Sequence, residues 1–179
     1  IGCTVGWGST MHERGELEMT SGGEFVIGYL SHSQDEALLS VKAMLDNIVP
    51  VTISENIMSD LYSKLIINSC ISTLGAICGL TLGKMLSKKS IRAIFLKIIE
   101  EAINVSNAMD LKVVPYAGKL DYYNLLKLNK FRQHIFLMAF GSKYRKLTSS
   151  SLQSLRRGGK TEVLGFNGYI RDKGIELKV

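Results

Sequence analysis

The chain has 179 residues, of which 46% are hydrophobic and 21% charged, and its 22 Lys and Arg against 16 Asp and Glu give a net charge of +6. These values are those of an ordinary globular domain, and they exclude an intrinsically disordered chain, which needs low hydrophobicity. With 2 Pro and no glycine period, collagen-like and low-complexity classes are excluded as well. The length predicts one domain, or one domain with an appendage.

The cysteines and the two chain ends bear on where the protein works. Cys3, Cys70 and Cys78 are an odd number with no CxxC pair, which argues against a disulfide scaffold or a zinc knuckle and favours a reducing, cytoplasmic location. The chain opens at Ile1 without a signal-peptide pattern and stops abruptly at Val179. We therefore expect it to be an excerpt of a longer polypeptide.

Residues 1–31 lack helical periodicity. Short strand-like runs at 3–7, 16–20 and 24–28 are separated by turn signals at 13–15 and 21–23. This pattern predicts a small antiparallel β-meander.

The rest of the chain is predicted to be mainly α-helical. Ser33 and Glu36 have capping-box spacing, which predicts a helix from there to about residue 47, followed by an extended connector at 49–53. Residues 148–151 are predicted to be a polar connector. Hydrophobic periodicity predicts six further helices, at about 56–78, 81–86, 88–109, 119–126, 130–146 and 160–174.

Residues 65–83 contain no charged side chain, and this stretch of 19 residues approaches the length of a membrane span. Gly75, Gly79 and Gly83 recur every fourth residue, as in pairs of membrane helices. Five polar residues lie within the same stretch, however, so we favour a buried core helix that packs closely through its glycines, and we predict no membrane partner.

Lys64, Asn68 and Ser72 share one face of the same predicted helix, at positions i, i+4 and i+8. A polar stripe led by a lysine on an otherwise apolar helix needs partners for its donors and acceptors. Those partners could be other side chains or a bound polar ligand. A helix end with the lysine in solvent explains the stripe equally well at this point.

Several other patterns do not amount to sites. The segment 79–84 fails as a phosphate loop because its two glycines are one residue too close and Met85 replaces the required Ser or Thr. His12, His32 and His134 are scattered, so we predict no metal site. The basic residues near positions 84–97 and 156–160 are spread as on solvated helix faces, and we predict no nucleic-acid partner.

Glu162 begins the last predicted helix, where a carboxylate is favoured by the helix dipole whether or not it has a function. Asn167 and Gly168 lie inside that helix in spite of their poor helix propensity. We expect close packing at these two residues.

Two blocks about 90 residues apart resemble the C-terminal domain of ketopantoate reductase, also called 2-dehydropantoate 2-reductase. The first is Lys64-Leu-Ile-Ile-Asn68 followed by Thr73-Leu-Gly-Ala, and the second is Ser149-Ser-Ser-Leu-Gln followed by Lys160-Thr-Glu162 and Asn167-Gly168. The resemblance covers nearly the whole chain. It implies a mainly α, multi-helix domain like the C-terminal domain of 6-phosphogluconate dehydrogenase-type reductases, with a short N-terminal antiparallel β-meander.

The resemblance also implies an activity and a set of site residues. The activity would be the NADPH-dependent reduction of a small 2-keto acid, ketopantoate in pantothenate synthesis, to a 2-hydroxy acid. Lys64 aligns with the catalytic lysine, which stabilises the developing alkoxide and donates a proton, and Glu162 aligns with a glutamate that holds the substrate hydroxyl close to that lysine. Asn68, Ser72 and Ser150 align with substrate-binding positions, and Ser72 stands where the family usually has a second asparagine.

By the same resemblance, residues 1–31 would complete the sheet of a nucleotide-binding domain that the chain lacks, and residues 32–179 would form a helical substrate and dimerisation domain. NADPH would be bound mainly by the missing Rossmann domain, and a homodimer is expected. Two further departures from the family are Ser154, in place of a usual aspartate, and the lack of a final helix beyond Val179. The alternative to an enzyme is a non-enzymatic helical module that binds a protein partner.

Overall fold

The computed structural model describes residues 1–31 and 33–179, and of residues 10–12, 20 and 21 it describes the backbone. The chain divides into two compact units, residues 1–62 and 63–179. The first unit holds five strands and one helix: β1 (Gly2–Val5), β2 (Gly8–Glu13), β3 (Glu16–Ser21), β4 (Phe25–Gly28), α1 (Glu36–Leu45) and β5 (Val51–Ile53).

The strands predicted before residue 31 are present, but their pairing is not that of a simple meander. β1 pairs with β4 in antiparallel register, and β2 and β3 form a separate hairpin between them. The predicted connector at 49–53 contains β5, which adds to β4 in parallel register. Sequence runs locate strands by their composition, but they do not show which strands become neighbours.

Helix α1 begins later than the capping-box pattern predicts. Its N-cap is Asp35, whose carboxylate accepts from Leu38 N at 2.9 Å. The predicted cap, Ser33, instead shares a hydroxyl hydrogen bond of 2.8 Å with Ser31. The prediction of Ser33 as N-cap is therefore wrong, because aspartate is as good a cap as serine and lies at the residue where the backbone turns into the helix.

The core of the first unit lies between its three-stranded sheet and α1. It consists of five buried apolar residues, against which Trp7, Tyr29 and three further side chains pack; the five are Phe25, Ile27, Leu38, Val49 and Val51. Alternating residues of β4 and β5 supply most of it, as expected for strands with one buried face.

The second unit is helical. Its elements are the part of α2 (Ile57–Cys78) from Ser63 onward, α3 (Leu82–Ser87), α4 (Lys89–Ala108), α5 (Tyr122–Lys127), α6 (Lys130–Lys143), α7 (Ser150–Arg156), a π-helical segment (Leu164–Gly168) and α8 (Tyr169–Leu177). The predicted mainly α class is thus confirmed. Helix α7 is not predicted from the sequence, and its first two residues overlap the predicted polar connector at 148–151. Its N-cap is Ser149, whose hydroxyl accepts from Leu152 N at 3.2 Å.

Three other elements of the second unit are hydrogen-bonded to α2. From α5, Tyr122 donates its hydroxyl proton to the carbonyl of Ser63 at 2.7 Å, and burial raises the pKa of this tyrosine well above its usual value. From α4, the Phe95 carbonyl accepts from Cys70 Sγ at 3.6 Å, and burial raises the pKa of that thiol as well. The third contact, from the π-helical segment, belongs to the candidate site.

Helix α2 is long and apolar enough to cross a membrane, with a mean hydropathy of 1.3, but half of that window is buried in the fold. Core helices of soluble proteins pass the same test, and the polar contacts of α2 with its neighbours are those of such a helix.

The glycines of this region have different roles. A Cβ at Gly75 would lie 2.6 Å from Ser149 Oγ, and a Cβ at Gly83 would lie 2.7 Å from Arg145 Cα, so both positions require glycine for close approach. Gly79, with φ of +65°, instead ends α2 in the left-handed conformation. Close packing through glycines is therefore present at two of the three predicted positions.

Arg92 joins α4 to the end of α3 and to α6. Its guanidinium is buried and donates to the carbonyls of Leu86 and Ser87 at 2.7 and 2.9 Å. Its Nε donates to His134 Nδ1 on α6 at 3.2 Å, and desolvation together with the nearby cations lowers the pKa of this histidine. The arginine thus satisfies carbonyls that the end of α3 would otherwise leave unpaired.

Candidate functional site

Lys64 lies in the third turn of α2, and its ammonium group is held by an aromatic residue far along the chain. Lys64 Nζ donates to Tyr116 OH at 3.2 Å and lies 5.2 Å from the centre of the Tyr116 ring. Both side chains are half-buried. The hydrogen bond and the cation–π contact fix the lysine while leaving two of its three N–H donors for a further acceptor.

Asn68 and Ser72 follow Lys64 on the same face of α2, as the spacing predicts. Asn68 is half-buried and Ser72 is 3% exposed. The Ser72 backbone carbonyl accepts from Ser149 Oγ at 3.5 Å, which brings the N-terminus of α7 to this part of α2. The stripe therefore runs from a half-buried end at Lys64 into the interior at Ser72.

The π-helical segment docks on the neighbouring face of α2 through one side chain. Asn167 Oδ1 accepts from Thr73 Oγ1 at 2.5 Å, and Asn167 Nδ2 donates to the Ser69 carbonyl at 3.2 Å. Ser69 and Thr73 come one residue after Asn68 and Ser72, so the two faces are adjacent, about 100° apart around the helix. Wide π-turns inside α-helices frequently occur at functional sites.

Close packing at Asn167 and Gly168 is present for the asparagine, whose side chain spans to α2. A Cβ at Gly168 would meet only atoms of its own segment, at 3.6 Å or more. Gly168 is buried, but no neighbouring element approaches it closely enough to require glycine.

Glu162 lies immediately before this last helical region. Its side chain is exposed, and its backbone carbonyl accepts from Gly165 N and Phe166 N at 2.9 and 3.1 Å. The last helical region, which contains the π-helical segment and α8, begins at Val163. Glu162 therefore precedes this region and does not lie in its first turn. Among the described residues, no ion pair joins Glu162 to Lys64. Convergence of the two groups on one substrate stays a prediction.

Ser150, the first residue of α7, is exposed. Its neighbour Ser149 is buried against Gly75 and the Ser72 carbonyl. The structure thus brings the start of α7 and the π-helical segment to residues 69–75 of α2, one to three turns beyond Lys64. Of the five predicted site residues, Lys64, Asn68 and Ser72 share one helix face. Ser150 follows Ser149, which contacts α2, and Glu162 lies five residues before Asn167, which also contacts α2.

Tyr116 and Asn167 carry contacts whose roles the sequence analysis does not identify. Tyr116 lies in a short β-bridged turn with Leu120, outside any regular periodicity, so no pattern marks it. Asn167 does carry a signal, because an asparagine within a helix is unfavourable unless its side chain has a partner.

Two surface cavities lie elsewhere. One, of about 730 Å³, lies between α3 and α6, and another, of about 490 Å³, lies around Asn107, Asp121 and Tyr123. Neither is lined by Lys64 or by the other predicted site residues.

The described residues contain no group of three His, Cys, Asp or Glu side chains placed to hold a metal ion. His32 and the side chain of His12 lie outside the described part of the chain, and His134 bonds to Arg92. The prediction that the protein has no metal site therefore stays a prediction.

A dinucleotide does not fit the connection from β4 to α1 in the first unit. In dinucleotide-binding folds a glycine-rich turn leads from a strand into a helix whose N-terminus faces the pyrophosphate. Here β4 leads to α1, whose N-terminus is already capped by the carboxylate of Asp35 with Glu36 beside it. Two negative charges at that position would repel a pyrophosphate.

Comparison with known proteins gives one family. Residues 56–179 match the family model described as ketopantoate reductase PanE/ApbA C terminal. A search of the curated proteins found no match. Among solved structures, a PanE/ApbA family ketopantoate reductase from Ralstonia eutropha JMP134 is 25% identical, with a TM-score of 0.76 over 99% of this chain and 53% of that one.

Two other structures share the fold at lower identity. A 2-dehydropantoate 2-reductase from Methylococcus capsulatus is 18% identical, with a TM-score of 0.75 over 99% of this chain and 56% of that one. A D-mandelate dehydrogenase in complex with NADH is 16% identical, with a TM-score of 0.76 over 97% of this chain and 54% of that one. The chain spans about half the length of each of these proteins.

Proposed function

This chain belongs to the ketopantoate reductase family, whose C-terminal domain it matches, and we propose that it forms the substrate-binding half of an NADPH-dependent 2-keto acid reductase. The proposed reaction converts 2-dehydropantoate into pantoate, for pantothenate biosynthesis in the cytoplasm. NADPH is assigned to a nucleotide-binding domain that these 179 residues do not include, since the β4–α1 connection does not fit its pyrophosphate.

The observation that supports this proposal most strongly is the placement of Lys64. A half-buried ammonium group, held by Tyr116, begins a polar face that continues through Asn68 to Ser72. A lysine needed only for solubility would have no reason to be fixed in this way, because its flexible chain loses entropy when it is held. A fixed ammonium is what a reaction that builds negative charge on an oxygen requires.

The chain's own chemistry in this proposal is orientation and proton transfer. As the keto group is reduced, negative charge develops on its oxygen, and Lys64 Nζ donates a hydrogen bond and then the proton to that oxygen. The resulting neutral amine regains a proton from water. Tyr116 OH acts as a positioning group that limits the directions in which the ammonium can point.

The remaining proposed contacts are polar. Asn68 and Ser150 supply hydrogen bonds to the hydroxyl and carboxylate groups of the substrate, and Glu162 accepts from the substrate hydroxyl. The anchoring of Asn167 on α2 supports this arrangement, because it holds the segment that follows Glu162 against the helix that carries Lys64.

Ser72 determines which other 2-keto acid should be tested beside 2-dehydropantoate. It is buried and smaller than the asparagine usual at that position in the family, so it offers one hydroxyl where the family offers an amide. D-mandelate dehydrogenase shares this fold and acts on a bulkier 2-hydroxy acid. Within the same reaction class, phenylglyoxylate is therefore the substrate to compare with 2-dehydropantoate.

The test is an NADPH oxidation assay on the chain joined to a nucleotide-binding domain of the same family. We expect 2-dehydropantoate to be reduced with a higher kcat/KM than phenylglyoxylate. A higher kcat/KM for phenylglyoxylate would overturn the proposed substrate and keep the reaction class. No reduction of either compound by a fusion that binds NADPH would overturn the reductase assignment.

We further propose that the protein forms a homodimer through α6. Phe131 and Ile135 form one stripe on this helix and are 74% and 47% exposed. The related Staphylococcus aureus ketopantoate reductase is described as dimeric. Sedimentation equilibrium should give twice the chain mass, and Phe131→Lys should give the mass of one chain. A non-enzymatic module would use the same stripe for a different protein, and it would sediment as a monomer when pure.

A further inference from the structure

Charge is divided unequally between the two units. Residues 1–62 hold 2 Lys and Arg against 9 Asp and Glu, a net charge of −7, and residues 63–179 hold 20 against 7, a net charge of +13. Within the second unit, residues 63–99 and 122–161 contain no Asp or Glu at all. These two stretches include α3 and α6, which pack against each other.

The cleft between α3 and α6 collects part of this positive charge. Its volume is about 730 Å³, and it is lined by three cationic side chains, three hydroxyl groups, a glycine and a methionine: Lys84, Arg145, Lys146, Thr81, Ser87, Ser142, Gly83 and Met138. On α6, residues 138 and 142 share one face, and on α3, residues 84 and 87 share another. Arg145 and Lys146 come from the segment that follows α6, so the cationic and hydroxyl groups line the same space from two helices and the chain next to them.

No carboxylate in the part of the chain that the structure describes forms an ion pair with any of the three cations. Every ion pair found among the described residues involves other lysines and arginines, namely Lys42, Lys97, Arg171 and Lys173. Like charges that share a cleft repel each other, and an anion bound between them removes that repulsion. Lysine and arginine combined with hydroxyl donors are the groups that bind phosphoryl oxygens.

The walls of the cleft are held close together by backbone contacts. Leu82 N donates to the Leu147 carbonyl at 2.9 Å, and the space for a Cβ at Gly83 is filled by the backbone of Arg145. A Cβ at Gly141 would lie 2.7 Å from Leu86 Cβ. The backbones that carry the three cations are thus fixed before any ligand arrives, which lowers the entropy lost on binding.

We propose that the α3–α6 cleft is a binding site for an oligophosphate anion, either free or carried by a nucleotide. Its volume is within the range of small-molecule sites, which is about 300–1,000 Å³. Lys84, Arg145 and Lys146 bind the phosphoryl oxygens, and Ser87 and Ser142 add hydrogen bonds. Met138 offers an apolar contact for a base.

This cleft is distinct from the Lys64 site. Lys64 and the last residue of α2 are 14 residues apart, or about 20 Å along the helix, and α3 begins beyond that end. The two sites share no residue, so the oligophosphate site stands or falls independently of the reductase proposal.

The test uses calorimetric titration of the chain with tripolyphosphate and with ATP at constant ionic strength. The triple variant Lys84→Gln, Arg145→Gln, Lys146→Gln should bind tripolyphosphate at least tenfold more weakly than the unmodified chain. A control with the same loss of charge, Lys119→Gln, Lys130→Gln, Arg132→Gln, should bind within twofold of it. Lys84→Gln alone, which changes one exposed side chain, covers the case in which the triple variant fails to fold.

The two ligands distinguish the source of the phosphate. Equal affinities assign free oligophosphate, and tighter binding of ATP that Met138→Ala reduces assigns a nucleotide; both support the site. Equal weakening by the cleft triple and the control triple would overturn it, because the attraction would then depend on net charge alone. No binding at millimolar tripolyphosphate would also overturn it, as would tighter binding of a short oligonucleotide that both triple variants weaken equally.

Discussion

The Lys64 face of α2 and the α3–α6 cleft both present cationic groups, but these groups are held in place at the first and exposed at the second. Lys64 is half-buried and bonded to Tyr116, and the neighbouring face of the helix is bonded to Asn167. In the cleft, three exposed cations stand without a carboxylate among the described residues. The fixed cation suits the orientation of one small substrate, and the unpaired cluster suits the capture of a multiply charged anion.

The difference shows that a cavity is not by itself a guide to the site of a reaction. The cleft of about 730 Å³ contains the cluster, whereas the side chains with defined hydrogen-bond geometry lie on α2. Catalysis depends on groups held in one geometry, while anion capture depends mainly on charge. The predictions below change one region or its surroundings, and the first three are compared with a control variant elsewhere in the fold.

The largest effect is expected from Lys64→Ala in the chain joined to a nucleotide-binding domain. Removing the ammonium removes both the charge that stabilises the developing alkoxide and its proton donor, so kcat should fall about 10³-fold. The measurement is NADPH oxidation with 2-dehydropantoate. Lys130→Gln, an exposed lysine on α6, should leave kcat within twofold, and an unchanged rate for Lys64→Ala would remove this lysine from the mechanism.

The second prediction concerns Arg92, which joins α4 to the end of α3 and to α6. Arg92→Met should lower the free energy of unfolding by about 2–3 kcal/mol, because the carbonyls of Leu86 and Ser87 lose a charged donor and that of Leu86 stays buried. Urea denaturation measures the change. Arg132→Met, at an exposed position of α6, should change the same quantity by about 0.5 kcal/mol or less. Similar losses for both variants would mean that Arg92 contributes no more than surface packing.

A smaller effect on kcat is expected from removing the hydrogen bond between Tyr116 and Lys64. Tyr116→Phe keeps the ring beside the ammonium but removes its hydrogen-bond acceptor, so kcat should fall about tenfold with little change in KM. Tyr123→Phe removes a hydroxyl that bonds to Asn107 and Val113 instead, and its kcat should stay near that of the unmodified protein. A rise in KM with constant kcat would show that Tyr116 serves binding only.

The smallest effect is the pH dependence of stability that arises from the hydrogen bond between Arg92 and His134. His134 accepts from Arg92, and desolvation together with the positive charges of Arg92 and Lys89 lowers its pKa in the folded protein below the usual 6.5. The unfolded chain therefore takes up this proton first as the pH falls, and stability drops below about pH 6.5. His134→Gln keeps an acceptor but does not titrate, so the difference in unfolding free energy between the two proteins should change with pH in that window. A pH-independent difference would contradict the assignment.

Local patterns in the sequence predict α1 to α6 and the last helical region, and they place Lys64, Asn68 and Ser72 on one face, because a 3.6-residue period fixes which side chains are neighbours. They miss α7, which begins within the residues predicted as a polar connector. The N-cap at Asp35 and the pairing of β1 with β4 were missed, since several polar residues can cap a helix and strand partners are set by tertiary contacts. Tyr116 could not be found because it reaches Lys64 across 52 residues from an irregular turn. The sequence marks Asn167 as unfavourable within a helix, and its two hydrogen bonds to α2 explain its position there.

The central claim is that Lys64 and Glu162 act on one substrate in one site, and a double-mutant cycle tests it most directly. Lys64→Ala, Glu162→Gln and the double variant would be compared by kcat/KM for 2-dehydropantoate in the fusion with a nucleotide-binding domain. Groups that act as a unit are strongly non-additive, so the double variant should be about as slow as the slower single variant. If the two losses instead multiply, as they do for distant and independent residues, the two groups do not share a site and the account is wrong.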